Sequence, residues 1–119
     1  MTSPVTPADT ARHLRRLVER RAVEGRARAR RLRGRLPAAV ALLRGRYGAK
    51  RVVLFGSLAA GTCRAESDVD LAVSALRPEH YFRALGELME VFGAPVDLVE
   101  LERAPPSLAE RIEAEGESL

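Results

Sequence analysis

The chain has 119 residues, with 20 Lys+Arg against 16 Asp+Glu, 46% hydrophobic and 30% charged, a composition that excludes full disorder and fits one hydrophobic core rather than two. With three Phe, two Tyr and no Trp, that core must be built from Leu, Val and Ala, and the single cysteine, Cys63, excludes an internal disulfide and fits a reducing compartment. No apolar run approaches the roughly 20 residues of a membrane span, and no secretory signal opens the chain, so the expected location is the cytoplasm. Charge is unevenly spread: residues 1–51 hold 15 basic and 3 acidic side chains, residues 52–119 hold 5 and 13.

Thr6-Pro7-Ala8-Asp9 has the order of a helix start: a hydroxyl to cap free amides, a proline at the first helical position and a carboxylate in the first turn. The helix that follows carries only a thin apolar stripe, Leu14, Leu17, Val18, Ala22 and Leu32, among eleven arginines from Arg12 to Arg35. Most of it is expected to face water or a partner. Gly25 and Gly34 weaken it, and Pro37 predicts a break or kink near 34–37. A second helix should run from Pro37 through Val40, Leu42 and Leu43 to Gly48. Residues 1–49 thus read as a helical segment packed on a core of residues 50–119, within a single domain.

Arg51-Val52-Val53-Leu54-Phe55 is continuously apolar and bounded by Gly56, as a strand covered on both faces should be. Residues 57–67 read as a short helix or turn plus loop, and Asp68-Val69-Asp70-Leu71-Ala72-Val73 as a second strand whose start faces an open site. Pro78 begins a helix with Tyr81, Phe82, Leu85, Leu88, Met89 and Phe92 at three- and four-residue steps, a stripe expected in the core, ended by Gly93. Residues 95–101 read as a third strand and residues 107–115 as an acidic last helix. The order helices, β, β, α, β, α places the chain in the mixed α/β (α+β) class.

The chemistry concentrates in Gly56-Ser57, then Asp68-Val69-Asp70, then Asp97 inside the third strand. Residues two apart on a strand project from one face, about 6.5–7 Å apart along it, so the carboxylates of Asp68 and Asp70 can converge. Side by side they repel unless a divalent cation opposes their charge, and an oxygen-only ligand set suits Mg²⁺ shared with substrate phosphates. Gly56 lets backbone amides approach a phosphate, and Ser57 adds a hydroxyl donor. If its strand lies beside the second, Asp97 supplies a third carboxylate, able to hold a second metal and to orient or deprotonate an attacking hydroxyl. The reaction class is nucleotidyl transfer, attack on the α-phosphorus of a nucleoside triphosphate with loss of pyrophosphate.

Taken singly these elements are commonplace, since Gly-Ser pairs make turns and Asp-x-Asp caps solvated strands; their combination and spacing give them meaning. An EF-hand and a P-loop are both excluded by the missing motif residues. His13 and His80 are isolated and read as surface residues, and Cys63 has no evident base beside it. The arginine-rich helix reads first as a solvated face; contact with nucleic acid through phosphates is an alternative, weakened by the lack of interleaved aromatics.

The run Val53-Leu54-Phe55-Gly56-Ser57-Leu58-Ala59 through Gly61, with Ser67-Asp68-Val69-Asp70-Leu71-Ala72-Val73 and Val96-Asp97-Leu98-Val99, closely resembles the minimal nucleotidyltransferases of the DNA polymerase β superfamily. The likeness spans about residues 50–119, and the chain's ending is similar to the last helix of the small MNT antitoxins, which pair with a HEPN-domain ribonuclease toxin. The resemblance implies a small mixed β-sheet flanked by helices and transfer of AMP from ATP to a tyrosine of the toxin with Mg²⁺, as the antitoxin of a type VII-like pair. It implies that Gly56, Ser57 and Ser67 hold the nucleotide, that Asp68 and Asp70 hold metal, and that Asp97 serves metal and acceptor hydroxyl. One position departs from the family: Ala60 stands where an arginine is common. Either Arg64 or a residue of the N-terminal helices replaces that cation, or the chain is an antitoxin that acts by binding alone; a separate alternative is a transferase of related chemistry acting on a small hydroxyl compound such as an antibiotic.

Overall fold

Residues 4–119 are described by the computed structural model, and they begin with a helix that specifies its own start. Helix α1 spans Pro7–Ala41; the Thr6 hydroxyl accepts from the Asp9 amide at 3.1 Å, and the Asp9 carboxylate accepts from the Thr6 amide at 3.3 Å, a reciprocal cap. The break expected at 34–37 does not occur. Leu32, Leu36 and Ala39 are buried on either side of Pro37, and two leucines at about 1.5–3 kcal/mol each offset the roughly 3 kcal/mol of an interior proline. The expected two helices are therefore one. Its irregularity lies further on, in a widened π turn over Leu42–Arg46 that ends where Gly48 takes a φ of 70° and the Ala49 amide bonds the Leu43 carbonyl at 2.9 Å.

Four strands follow. Strand β1 (Val52–Phe55) pairs antiparallel with β2 (Val69–Val73), β2 pairs parallel with β3 (Val96–Glu100), and β4 (Glu117–Ser118) adds antiparallel to the far side of β1, giving the order β3-β2-β1-β4. Between them lie α2 (Gly56–Ala60), α3 (Tyr81–Phe92) entered through a 3₁₀ turn at Pro78–His80, and α4 (Pro106–Glu115). The chain thus forms a mixed sheet with helices, in the mixed α/β class expected, with β4 as an addition. Two polar residues carry no strand pattern of their own. They pair because Gly116 lies so close to the Val53 side chain and the Ile112 carbonyl that any Cβ there would collide with both.

Strand alternation sorts the core into two layers. Val52, Leu54, Val69, Leu71, Val73 and Leu98 point to the face covered by α1 and α3, meeting Leu32, Leu36, Leu43, Ala84, Leu88 and Phe92. Val53 and Ala72 point the other way, under Ile112 of α4, with Phe55, Val99, Leu101 and Leu108 around them. The α3 stripe is narrower than its periodicity suggests: Ala84, Leu88 and Phe92 are buried, whereas Phe82 and Met89 are exposed, because the sheet covers only one side of the helix.

Helix α1 outruns the core it covers. At about 1.5 Å per residue its 35 residues extend for about 50 Å of the molecule's 67 Å long axis, and residues 7–24 are all exposed. The two ends of its apolar stripe should therefore differ in energy. Leu32→Ala is expected to cost about 2–5 kcal/mol in urea unfolding and Leu14→Ala less than about 0.5 kcal/mol; equal costs would contradict this placement of the helix.

Candidate functional site

The face covered by α4 is left open at one end. Asp70 and Asp97 are Cα partners in the parallel β2–β3 ladder and project to this same face, as Ala72 and Val99 do two residues on. Asp68 lies one residue before β2, outside the ladder, and is exposed, as Asp97 is; Asp70 is half-buried. Phe55, the last residue of β1, is the Cα partner of Asp70 across the antiparallel pair. The register therefore brings Asp70 and Asp97 to one end of one sheet face, and the loop that enters β2 delivers Asp68 just before it.

Gly56 completes this end. It takes a φ of 72°, and the Asp70 carboxylate rests on its Cα, so that an added Cβ would fall on Oδ2 and within 2.8 Å of Cγ. Both its conformation and its neighbour exclude a side chain. Ser57 follows in the first turn of α2, half-buried, and α2 closes at Gly61, whose φ of 77° turns the chain into the loop that returns to Asp68. Within that loop the Ser67 hydroxyl accepts from the Arg64 amide at 2.8 Å and the Ser67 amide donates to the Arg64 carbonyl at 3.2 Å.

Electrostatically the acids act on one another. Asp70 is pushed above the ordinary carboxylate range, first by burial, then by the charges of Asp97 and Asp68. Among the described residues no three acidic, His or Cys side chains stand converged as a ready metal cage. The donor set is nonetheless all oxygen and its charges oppose one another, which fits a hard divalent cation.

Several residues at this end escaped the sequence reading. Arg28 donates from Nε to the Ser67 carbonyl at 2.9 Å, and Arg33 from Nη2 to the Leu58 carbonyl at 3.2 Å, so α1 is bonded to the loop and helix on either side of the site. Gly25, read as a weak point, is buried against the Cys63 carbonyl oxygen, where a Cβ would collide. A glycine amid helix-forming Ala and Arg was the one signal for this contact. Tyr81 packs against the core as its stripe predicts, and its hydroxyl in addition donates to the Leu98 carbonyl of β3 at 2.6 Å; burial and the Asp97 and Glu100 charges raise its pKa. Cys63 is half-buried in the loop, and the His80 ring lies tilted at 59° to Tyr47 with centroids 5.8 Å apart.

Residues 40–119 match the family described as polymerase beta, nucleotidyltransferase. The chain belongs to that family. Among solved structures, this nucleotidyltransferase is similar to one assigned as a minimal nucleotidyltransferase, at 34% identity and TM-score 0.68 over 76% of this chain and 95% of that one. It is also similar to a toxin–antitoxin crystal structure with AMP-PNP, at 30% identity and TM-score 0.61 over 66% of this chain and 67% of that one. A complex of a tri-AMPylated Shewanella oneidensis HEPN toxin with an MNT antitoxin shares the fold, at 24% identity and TM-score 0.60 over 73% of this chain and 70% of that one. No curated protein matches the chain. The family match starts near the end of α1, so most of that helix lies outside it.

The crowding of acids has a measurable cost. Because the Asp70 carboxyl is raised, the folded protein holds its proton more tightly than the unfolded chain does; its stabilising contribution is complete below the ordinary carboxylate range and is lost as pH rises through the raised value. Asp70→Asn is therefore expected to raise the Tm of metal-free protein at pH 7, with the gain vanishing below about pH 4. A lower Tm for the variant at pH 7 in EDTA would contradict the repulsion.

Proposed function

We propose that this chain is a Mg²⁺-dependent transferase that moves AMP from ATP to a tyrosine hydroxyl of a HEPN-domain toxin, and so acts as that toxin's antitoxin. The observation that carries the reading is the register that sets Asp70 beside Asp97, with Asp68 two residues before and Gly56 against them, in a chain of the nucleotidyltransferase family. The toxin–antitoxin structures with AMP-PNP and with an AMPylated HEPN toxin support the nucleotide and the partner.

In this reading Gly56 and Ser57 receive the triphosphate, the first by leaving room for its oxygens and the second by donating its hydroxyl. Ser67 already accepts from the Arg64 amide, which leaves its own O–H hydrogen to donate to a phosphate oxygen. Asp68, Asp70 and Asp97 would hold Mg²⁺, which when bound offsets their repulsion and the charge of the phosphates. Asp97, exposed at the edge of the cluster, orients the acceptor hydroxyl and takes its proton as the oxygen attacks the α-phosphorus and pyrophosphate leaves.

Ala60, exposed at the end of α2, favours a second reading in which the chain neutralises its toxin by binding alone, since no cation extends from that position to the phosphates. Incubation of the purified protein with labelled ATP, Mg²⁺ and a HEPN-domain toxin separates the two. Label on a toxin tyrosine is expected, falling about 100-fold or more in Asp68→Asn and Asp70→Asn, the scale for groups acting directly on the transition state. A stable, neutralised complex that forms without label would establish the binding-only reading.

A further inference from the structure

We propose that helix α1, through Gly25 and Arg28, is the element that positions Asp68, so that a segment outside the family match completes the site. The inference rests on the transferase reading for what Asp68 does, but not for how it is held.

The three acids are not held alike. Asp70 and Asp97 sit inside a hydrogen-bonded parallel ladder, and Asp70 is further confined by Gly56. Asp68 precedes the ladder, so its backbone direction is set by the loop that delivers it. That loop has few anchors. The Thr62 amide bonds the Ser57 carbonyl at 2.9 Å at its start, the Val69 amide bonds the Pro95 carbonyl at 3.1 Å at its end, and the Arg64–Ser67 bonds between them are internal to the loop.

Helix α1 supplies the contact from outside. The Arg28 side chain, part-buried, donates from Nε to the Ser67 carbonyl, the peptide oxygen immediately before Asp68. A charged donor on a carbonyl is about twice as strong as a neutral one, and this one fixes the plane of the peptide that leads into Asp68. One turn earlier, Gly25 lets the helix backbone touch the Cys63 carbonyl, a contact any side chain would prevent. Beyond Gly25 helix and loop separate around a cavity of about 410 Å³ lined by Val18, Arg21, Ala22 and residues 63–66. The loop is therefore clasped at Gly25 and Arg28 and open past them. Arg33, bonding the Leu58 carbonyl, ties the same helix to α2 and thus to the other wall of the site.

Hydrogen exchange on the free protein, paired with a Mg²⁺ titration of transfer, tests this. In Arg28→Ala the Arg64 and Ser67 amides are expected to exchange about tenfold faster while Leu71–Val73 stay protected. The Mg²⁺ concentration for half-maximal transfer is expected to rise about tenfold, as when a metal ligand loses its orienting partner. Gly25→Ala, which keeps every charge and pushes the loop away, is expected to do the same, and Arg28→Lys, which keeps one donor, to restore much of both readouts. Unchanged loop exchange and unchanged Mg²⁺ dependence in Arg28→Ala and Gly25→Ala would overturn the proposal, as would equal loss of protection through Leu71–Val73. A wild type that transfers nothing, with a loop that still loosens in Arg28→Ala, would uphold the clasp and reject the transferase reading.

Discussion

The contact between the Asp70 carboxylate and the bare Cα of Gly56 is the constraint on which the placement of the acids depends. It exists because β1 ends at Phe55, immediately before a left-handed glycine, while antiparallel β2 sets its second residue, Asp70, opposite Phe55. A side chain at 56 would displace the carboxylate, and a residue other than glycine would strain the turn into α2. The parallel pairing with β3 then brings a second acid alongside. What results is a concentration of negative charge at the uncovered end of a sheet whose two middle strands, β1 and β2, are packed on both faces. Burial and the neighbouring charges hold the Asp70 carboxyl above the ordinary carboxylate range, and an all-oxygen donor set of this kind fits a hard divalent cation.

The rest of the fold supports that end. Helices α1 and α3 bury one sheet face; α4 buries half of the other and stops short of the acids, with Gly116 letting the chain fold back as β4 along β1. Helix α1 divides into three parts along its length. Its last turns belong to the core, its middle clasps the loop before Asp68, and its first eighteen residues extend into solvent behind a complete cap. The positive charge of the N-terminal half and the negative charge of the rest thus have separate structural meanings: exposed arginines along one helix, and carboxylates gathered at and around the sheet.

Much of the site could be read from the residues because it is local in pattern. The apolar run 52–55 ending in Gly56, the alternation at Asp68-Val69-Asp70 and the acid interrupting 96–100 each carry their geometry in their spacing, whereas the parallel pairing that sets β3 beside β2 is a long-range register none of these patterns encodes. The misreadings arose where distant contacts override local rules. Pro37 breaks isolated helices, yet Leu32, Leu36 and Ala39 bury enough surface around it to keep one rod. Phe82 and Met89 share the period of α3 without sharing its covered side. Strand β4 exists through its partner alone, and Arg28 looked like one more solvated arginine because nothing near it in sequence marks Ser67, 39 residues away, as its acceptor.

Calorimetric titration with Mg²⁺ and a non-hydrolysable ATP analogue addresses the gathering of Asp68, Asp70 and Asp97 around a cation most directly. Binding heat is expected for the wild type only when metal and nucleotide are both present, and none for a chain carrying Asp68→Asn and Asp70→Asn together. Equal nucleotide binding by that double variant, or by the wild type in EDTA, would contradict it.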